Sequence, residues 1–261
     1  MQPRLISSRD NPLLVRLRKL AQDPGAYRKL GEIWVEGDHL CGACVVRGVP
    51  VAQAVLSETA WQQPALRRLA QHAPAVSVVP DALFKGVSGL ESPTGCGFLL
   101  PWSGPVPVRP GVASVVLDRL QDAGNVGSVL RSAAALGVEQ VIALRGTAGL
   151  WSPKVLRAGM GAHFALHIVE TAEPAQLDTL ALPLLGTSSH TEAELHATPL
   201  PWPCAWVLGH EGQGVDAALL SRCAQVLRIP QPGGEESLNV AAAAAVCLYE
   251  SLRQRLAGGA Q

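Results

Sequence analysis

Three short polar stretches hold residue types that could form a binding site: a carboxamide with a guanidinium, a carboxylate among glycines, and a hydroxyl at a helix start. The first is Asp118-Arg119-Leu120-Gln121-Asp122-Ala123-Gly124-Asn125-Val126-Gly127, with Arg131 four residues further on. A carboxamide at a helix start and a guanidinium two turns into it are candidate binding groups; equally, Asn125 can cap the helix and Arg131 can be a surface cation. The second is Gly209-His210-Glu211-Gly212-Gln213-Gly214. Three glycines in six residues let backbone approach a ligand closely, and the carboxylate is then a binding group or an acceptor within a tight turn. The third is Pro230-Gln231-Pro232-Gly233-Gly234-Glu235-Glu236-Ser237-Leu238-Asn239-Val240. Ser237 stands at an expected N-cap, where free N–H groups can meet an acceptor, and Asn239 falls on the first turn. His163, His190 and His210 lie close to these stretches and titrate near neutrality, yet nothing in the pattern requires them.

Each stretch closes an element that must hold it in place. Strands are expected at 114–117, 140–144, 165–169, 183–186, 205–208 and 226–229, alternating with helices at 126–136, 153–160 and 238–256. That alternation predicts an α/β domain with a parallel sheet and helices on both faces, whose ligands bind where strands end. The strings G-x-G-x-x-G and G-x-x-x-x-G-K are absent, which argues against a nicotinamide or nucleoside triphosphate enzyme. Upstream, helices at 11–21, 37–47 and 64–71 and strands at 33–36 and 51–56, with apolar runs at 76–79 and 97–100, describe a small α/β module. Between the halves stand Pro101, Pro105, Pro107 and Pro110 with Gly104 and Gly111, a composition hostile to helix or central strand. The expected division is 1–100, a linker at 101–112, and 113–261.

The 261 residues are 48% hydrophobic and 16% charged, against a typical ~25% charged, which supplies a large core and excludes a disordered chain. With 21 basic and 21 acidic residues there is no overall positive coat. The N-terminal segment is basic all the same: Arg4, Arg9, Arg16, Arg18, Lys19, Arg28 and Lys29 face only Asp10 and Asp23 before Gly31. A phosphate partner fits there, with Tyr27 and Trp34 as candidate stacking surfaces; a solvated basic helix face is the plainer alternative. No apolar run approaches the ~18–20 residues of a membrane span, and no secretory h-region opens the chain, so a cytoplasmic protein is expected. The six cysteines are expected as reduced, buried thiols, with Cys41 and Cys44 packing a helix, and no cluster has metal-ligand spacing.

Taken in order, Asn125-x-Gly127-x-x-x-Arg131, Gly209-x-Glu211-Gly212-x-Gly214, and Ile229-Pro230 followed by Glu236-Ser237-Leu238-Asn239-Val240 resemble the three motifs of the SpoU (TrmH-type) RNA 2′-O-ribose methyltransferases. Residues 152–162 fit the same family, and Asn11-Pro12-Leu13, Tyr27-Arg28 and Val35-Glu36-Gly37 are similar to the RNA substrate-binding module of its ribosomal-RNA members. The chain differs at Ala123, Gln231 and Gly159, none of them a reacting group.

The resemblance implies a SPOUT fold with a C-terminal trefoil knot, preceded by an L30e-like module, and a homodimer through the C-terminal domain. It implies S-adenosylmethionine held by Gly186, Thr187, Leu208, Gly209, Gly212, Ile229, Pro230 and Leu238. The implied substrate is ribosomal RNA, with transfer RNA as the alternative and a non-catalytic RNA-binding protein as a rival. Catalysis falls to Arg131, Asn125, Glu211, Ser237 and Asn239. Arginine keeps its proton at neutral pH, so Arg131 is expected to act electrostatically on the 2′-oxygen and neighbouring phosphate instead of as a base. Asn125 would fix Arg131 or the ribose, Glu211 would orient the loop or the arginine, and Ser237 and Asn239 would shape the acceptor pocket. No metal is required.

Overall fold

The β-branched runs and the Leu- and Ala-rich stretches between them fold into alternating strands and helices. The computed structural model describes residues 2–233 and 237–258; Gly234, Glu235 and Glu236 of the third polar stretch lie outside the described residues. In chain order the elements are β1 (Arg4–Leu5), α1 (Pro12–Gln22), α2 (Ala26–Leu30), β2 (Glu32–Glu36), α3 (Asp38–Val46), β3 (Gln53–Ser57), α4 (Glu58–Gln62), α5 (Pro64–Ala70), β4 (Val76–Val79), α6 (Asp81–Lys85) and β5 (Cys96–Pro101). They continue with β6 (Ser114–Leu117), α7 (Ala123–Ala135), β7 (Gln140–Leu144), α8 (Pro153–Gly159), β8 (His167–Ala172), β9 (Leu184–Thr187), β10 (Ala205–Leu208), α9 (Ala217–Leu220), β11 (Gln225–Leu227) and α10 (Val240–Gly258). Contacts divide the chain into two compact units, Met1–Gly104 with Trp151–Phe164, and Pro105–Leu150 with Ala165–Gln261.

The first unit is built on a mixed sheet ordered β1-β4-β3-β5-β2, in which β5 runs antiparallel to both neighbours. Helix α1 starts where Asn11 caps it, its side chain accepting from the Leu13 N–H at 3.0 Å, with Pro12 at the first helical position. Its Leu13, Leu14, Leu17 and Leu20 are buried at helical spacing, leaving Arg16 and Lys19 exposed. Tyr27 and Trp34 are core residues, 2% and 4% exposed, and not the stacking surfaces expected from sequence. Tyr27 meets Trp102 edge-on at 5.2 Å, and Trp34 lies so close over Gly97 that a Cβ there would come within 2.1 Å of the ring. Both rings are spent on packing. Cys41 and Cys44 are buried on α3, and burial raises both thiols, Cys44 to about 12.

The segment Trp151–Phe164, within the expected 113–261 domain, makes its contacts with the first unit. Leu156 is buried in that unit's core, and Trp151 and Phe164 pack against it. Gly159 is required there, since a Cβ would fall 2.4 Å from the His163 ring.

The second unit is a six-stranded sheet ordered β11-β9-β10-β6-β7-β8, with every strand pair parallel. From β6 the chain adds β7 and β8 on one side and places β10, β9 and β11 on the other. The strand order thus reverses between β6 and β10, where connections diverge and leave a crevice at the strands' C-terminal ends. Part of the expected linker is strapped to this unit: Gln140 accepts from the Arg109 N–H at 2.8 Å and donates to the Arg109 carbonyl at 3.2 Å. On the sheet's other side, α10 packs on α7 and β10, and the buried Trp206 indole of β10 donates to Ser251 Oγ of α10 at 2.9 Å. No helix among the described residues is long and apolar enough to cross a membrane.

Candidate active site

Strands β6 and β10 pair in register, Leu117 opposite Leu208, so the polar stretches that follow them emerge side by side. Helix α7 begins at Ala123 because Asp122, not Asn125, is its cap: Asp122 Oδ1 accepts from the Asn125 N–H at 2.7 Å. The Asn125 side chain is therefore free to reach sideways. Its Nδ2 donates to Glu211 Oε1 at 3.2 Å, and its Oδ1 accepts from Asn239 Nδ2 at 3.0 Å. Asn239 Oδ1 in turn accepts from the N–H groups of Ala241 and Ala242 at 2.9 and 3.3 Å.

Asn239 thus caps α10, the role sequence reasoning gave to Ser237. The helix starts two residues later than expected, because the carboxamide two positions on reaches the orphan N–H groups. Ser237 is exposed and makes no hydrogen bond among the described residues.

Glu211 is the hub that joins the first two stretches. Oε1 also accepts from the Asp122 N–H at 3.0 Å, and Oε2 accepts from the Gln121 N–H at 3.2 Å. Burial alone pushes this carboxyl's pKa up, but the hydrogen bonds from its own backbone, Asp122, Gln121 and Asn125 outweigh that and hold it below its ordinary value. Glu211 orients the loop and not Arg131. Arg131 is exposed on α7, with no ion pair or hydrogen bond among the described residues.

Six of the eight residues expected to hold a cofactor stand at or just beyond strand ends, while Gly212 lies within the turn after β10 and Leu238 just ahead of α10. Gly186 and Thr187 close β9, Leu208 and Gly209 stand at the end of β10, and Ile229 and Pro230 follow β11. A Cβ at Gly186 would meet Leu220 Cδ1 at 2.7 Å, and one at Gly209 would lie 2.1 Å from the Gly214 carbonyl carbon and the Val215 nitrogen. These two glycines serve close packing. A Cβ at Gly212 would meet nothing nearer than 3.8 Å and one at Gly214 nothing within 4 Å, while their N–H groups donate to His210 Nδ1 and to the His210 carbonyl. Ile229 and Pro230 line a pocket of about 350 Å³ with Leu195, Ala245, Val246 and Tyr249. Leu238 is 42% exposed.

Of the basic residues, Arg4, Arg9, Arg28 and Lys29 are exposed, as are Arg16 and Lys19 on α1. Arg16 approaches Glu32 at 3.5 Å, Arg18 donates to the Arg9 carbonyl, and Arg28 lies over the Tyr27 ring at 4.8 Å. The histidines have local roles: His163 packs against Trp151, His190 donates its N–H to Ser188 Oγ, and His210 Nδ1 accepts from the Gly212 N–H. Sequence reasoning passed over Asp118, Arg119, Gln121, Asp122 and Gln213. The only sign of them was the density of polar residues directly after an apolar strand.

The SpoU rRNA Methylase family model matches residues 113–249. An uncharacterized tRNA/rRNA methyltransferase of Synechocystis is 34% identical over 97% of this chain and 94% of its own length. The 23S rRNA (guanosine(2553)-2′-O)-methyltransferase of Bacillus subtilis is 38% identical over 52% of this chain, which spans about half (56%) of that relative. Among solved structures, the SpoU methyltransferase AviRb of Streptomyces viridochromogenes in complex with AdoMet superposes with a TM-score of 0.84 at 25% identity, covering 95% of this chain and 100% of that one. With a convergent Asn125, Glu211 and Asn239 at the sheet's reversal point and this extent of matching sequence, the chain belongs to the SpoU rRNA methylase family.

Proposed function

We propose that this chain methylates a ribose 2′-hydroxyl of ribosomal RNA with S-adenosylmethionine as donor. The observation that carries the reading is the single hydrogen-bonded chain Glu211–Asn125–Asn239, which joins three segments far apart in sequence. The named relatives and the AdoMet complex of a SpoU methyltransferase support it.

The residues present suit such a donor: exposed glycines at 212 and 214 with room beside them, and an apolar pocket reaching Ile229 and Pro230, match a nucleoside approaching main chain closely. When bound, the donor supplies an electrophilic methyl on a sulfonium. A methyl taken from that sulfonium would go to the 2′-oxygen, whose proton would pass to water. The protein's work is alignment and charge stabilisation. Arg131 has no partner among the described residues, so its guanidinium is available for a phosphate and for negative charge on the 2′-oxygen. Asn125 spends its oxygen and one N–H on Asn239 and Glu211; it holds the site together and keeps a single N–H for the ribose. Ser237, exposed beside Asn239, faces no competing partner among the described residues for the acceptor.

The reading extends to a SPOUT trefoil knot, which the placement of β11 outside β9 favours, and to an L30e-like first unit that grips RNA through its exposed arginines and lysines. It also includes a homodimer through the second unit, for which Val246, Tyr249 and Leu256 on one side of α10 offer exposed apolar surface, and a cytoplasmic setting. The test is transfer of labelled methyl from S-adenosylmethionine to fractionated RNA. Ribose-methylated ribosomal RNA is expected, and Arg131→Ala should cut the rate about 100-fold while donor affinity holds. Label confined to transfer RNA, or on bases, or absent, overturns the assignment.

A further inference from the structure

Arg119 is the second residue after β6 and has a φ of 60°, a left-handed conformation costly for a residue with a side chain. Such a residue persists where its surroundings over-determine it. Its N–H donates to Thr147 Oγ1 at 3.1 Å, and that hydroxyl donates to the Leu117 carbonyl at 3.0 Å. The guanidinium forks onto Asp118, Nε to Oδ1 at 2.9 Å and Nη2 to Oδ2 at 3.0 Å, and its Nη1 donates to Gln213 Oε1 at 3.2 Å. Asp118 is 3% exposed and also accepts from the Asp216 N–H at 2.8 Å. Because a guanidinium only donates, Gln213 must turn its oxygen toward Arg119.

This cluster grips the same turn that Glu211 holds, through residues further along it. Glu211 is fixed by Gln121, Asp122 and Asn125; Gln213 and Asp216 are fixed by Arg119 and Asp118. Between those anchors stand Gly212 and Gly214, whose N–H groups donate to His210 Nδ1 at 3.0 Å and to the His210 carbonyl at 2.8 Å, and which have no side chain of their own to limit their backbone. We propose that Arg119 is a positioning residue for methyl transfer: set by the buried Asp118, it holds the Gln213 amide and keeps the 209–214 turn in the conformation that receives the donor. This deepens the function proposed above and rests on it.

Arg119→Gly provides the test, since glycine suits the left-handed backbone while the fork is lost. The melting temperature should fall, because the buried Asp118 keeps only the Asp216 N–H, whereas KM for S-adenosylmethionine in methyl transfer to ribosomal RNA, measured where the variant is folded, should rise about tenfold. Gln213→Ala, a change at an exposed side chain, should show the same rise, and the double variant should be no worse than either single one. Arg119→Lys should not rescue, because one ammonium cannot make the fork and reach Gln213 together. Wild-type KM in Arg119→Gly, or losses that add in the double variant, overturns the proposal; should Arg119→Gly not fold, wild-type KM in Gln213→Ala overturns it. If the wild-type protein transfers no methyl to RNA, the functional reading fails and takes this role with it. Wild-type transfer beside an unimpaired Arg119→Gly removes the positioning role alone.

Discussion

Glu211 accepts a hydrogen bond from the Asn125 side chain at 3.2 Å, although 86 residues separate the two in sequence. The contact exists because β6 and β10 are neighbours in the sheet while β7, β8 and β9 intervene along the chain. Removing the charge from that hub should therefore disturb both loops. In Glu211→Gln one carboxylate oxygen becomes an NH2 group, which must face a backbone N–H of Gln121 or Asp122 or turn away. Methyl transfer should fall at least tenfold, a loss in the range seen when a hydrogen bond to a charged group is broken. A variant with wild-type kcat/KM would show that the hub does not set the site.

The same carboxylate gives the loops a defined acid limit. Its pKa lies below the ordinary 4.5, so its ionised form is favoured by the fold; that contribution is complete above the unfolded value and is lost as pH falls through the lowered native one. The amide resonances of Gln121 and Asp122 should follow this titration with a midpoint below 4.5. A midpoint above 4.5 would mean that burial outweighs the hydrogen bonds.

Two glycines of one turn should respond oppositely to the same substitution. Gly209→Ala drives a methyl onto backbone 2.1 Å away and should cost about 1–3 kcal/mol or more, measured by denaturant unfolding. Gly212→Ala has room, with its nearest neighbours 3.8 Å off, and should leave stability within about 1 kcal/mol while weakening donor binding in calorimetry. Equal stabilities would contradict the close approach at Gly209.

Charge reversal at Arg4, Lys19 and Lys29 tests the basic surface without touching the core. All three are exposed. RNA affinity should fall, and the salt dependence of binding should flatten by about one unit for each lost phosphate contact. Donor affinity should be unaltered. An unchanged salt slope would assign RNA binding elsewhere.

Sequence pattern located the long elements and the three polar stretches, because periodicity and β-branched runs report local preferences. What it missed depends on three-dimensional competition. Ser237 and Asn239 are both good caps, and only the path of the chain into α10 lets Asn239 reach the free N–H groups. Tyr27 follows a basic run that suggested an exposed ring, but Trp102, 75 positions away, covers it. The anchors Asp118 and Gln213 acquire meaning only once β6 and β10 are adjacent. Short helices such as α4 and α9 are set by single caps, Ser57 and Asp216, which leave too brief a pattern to read.

The chain enters the first unit twice, once as 1–104 and again as 151–164. The polypeptide therefore passes between units three times. A single proteolytic nick after residue 104 would give two chains held together without a covalent bond, the second still carrying the Trp151, Leu156 and Phe164 that pack into the first unit's core. Grafting this unit onto a relative would likewise require transplanting two stretches, since an exchange at the proline-rich boundary alone would strand Trp151, Leu156 and Phe164 without the apolar surface they complete.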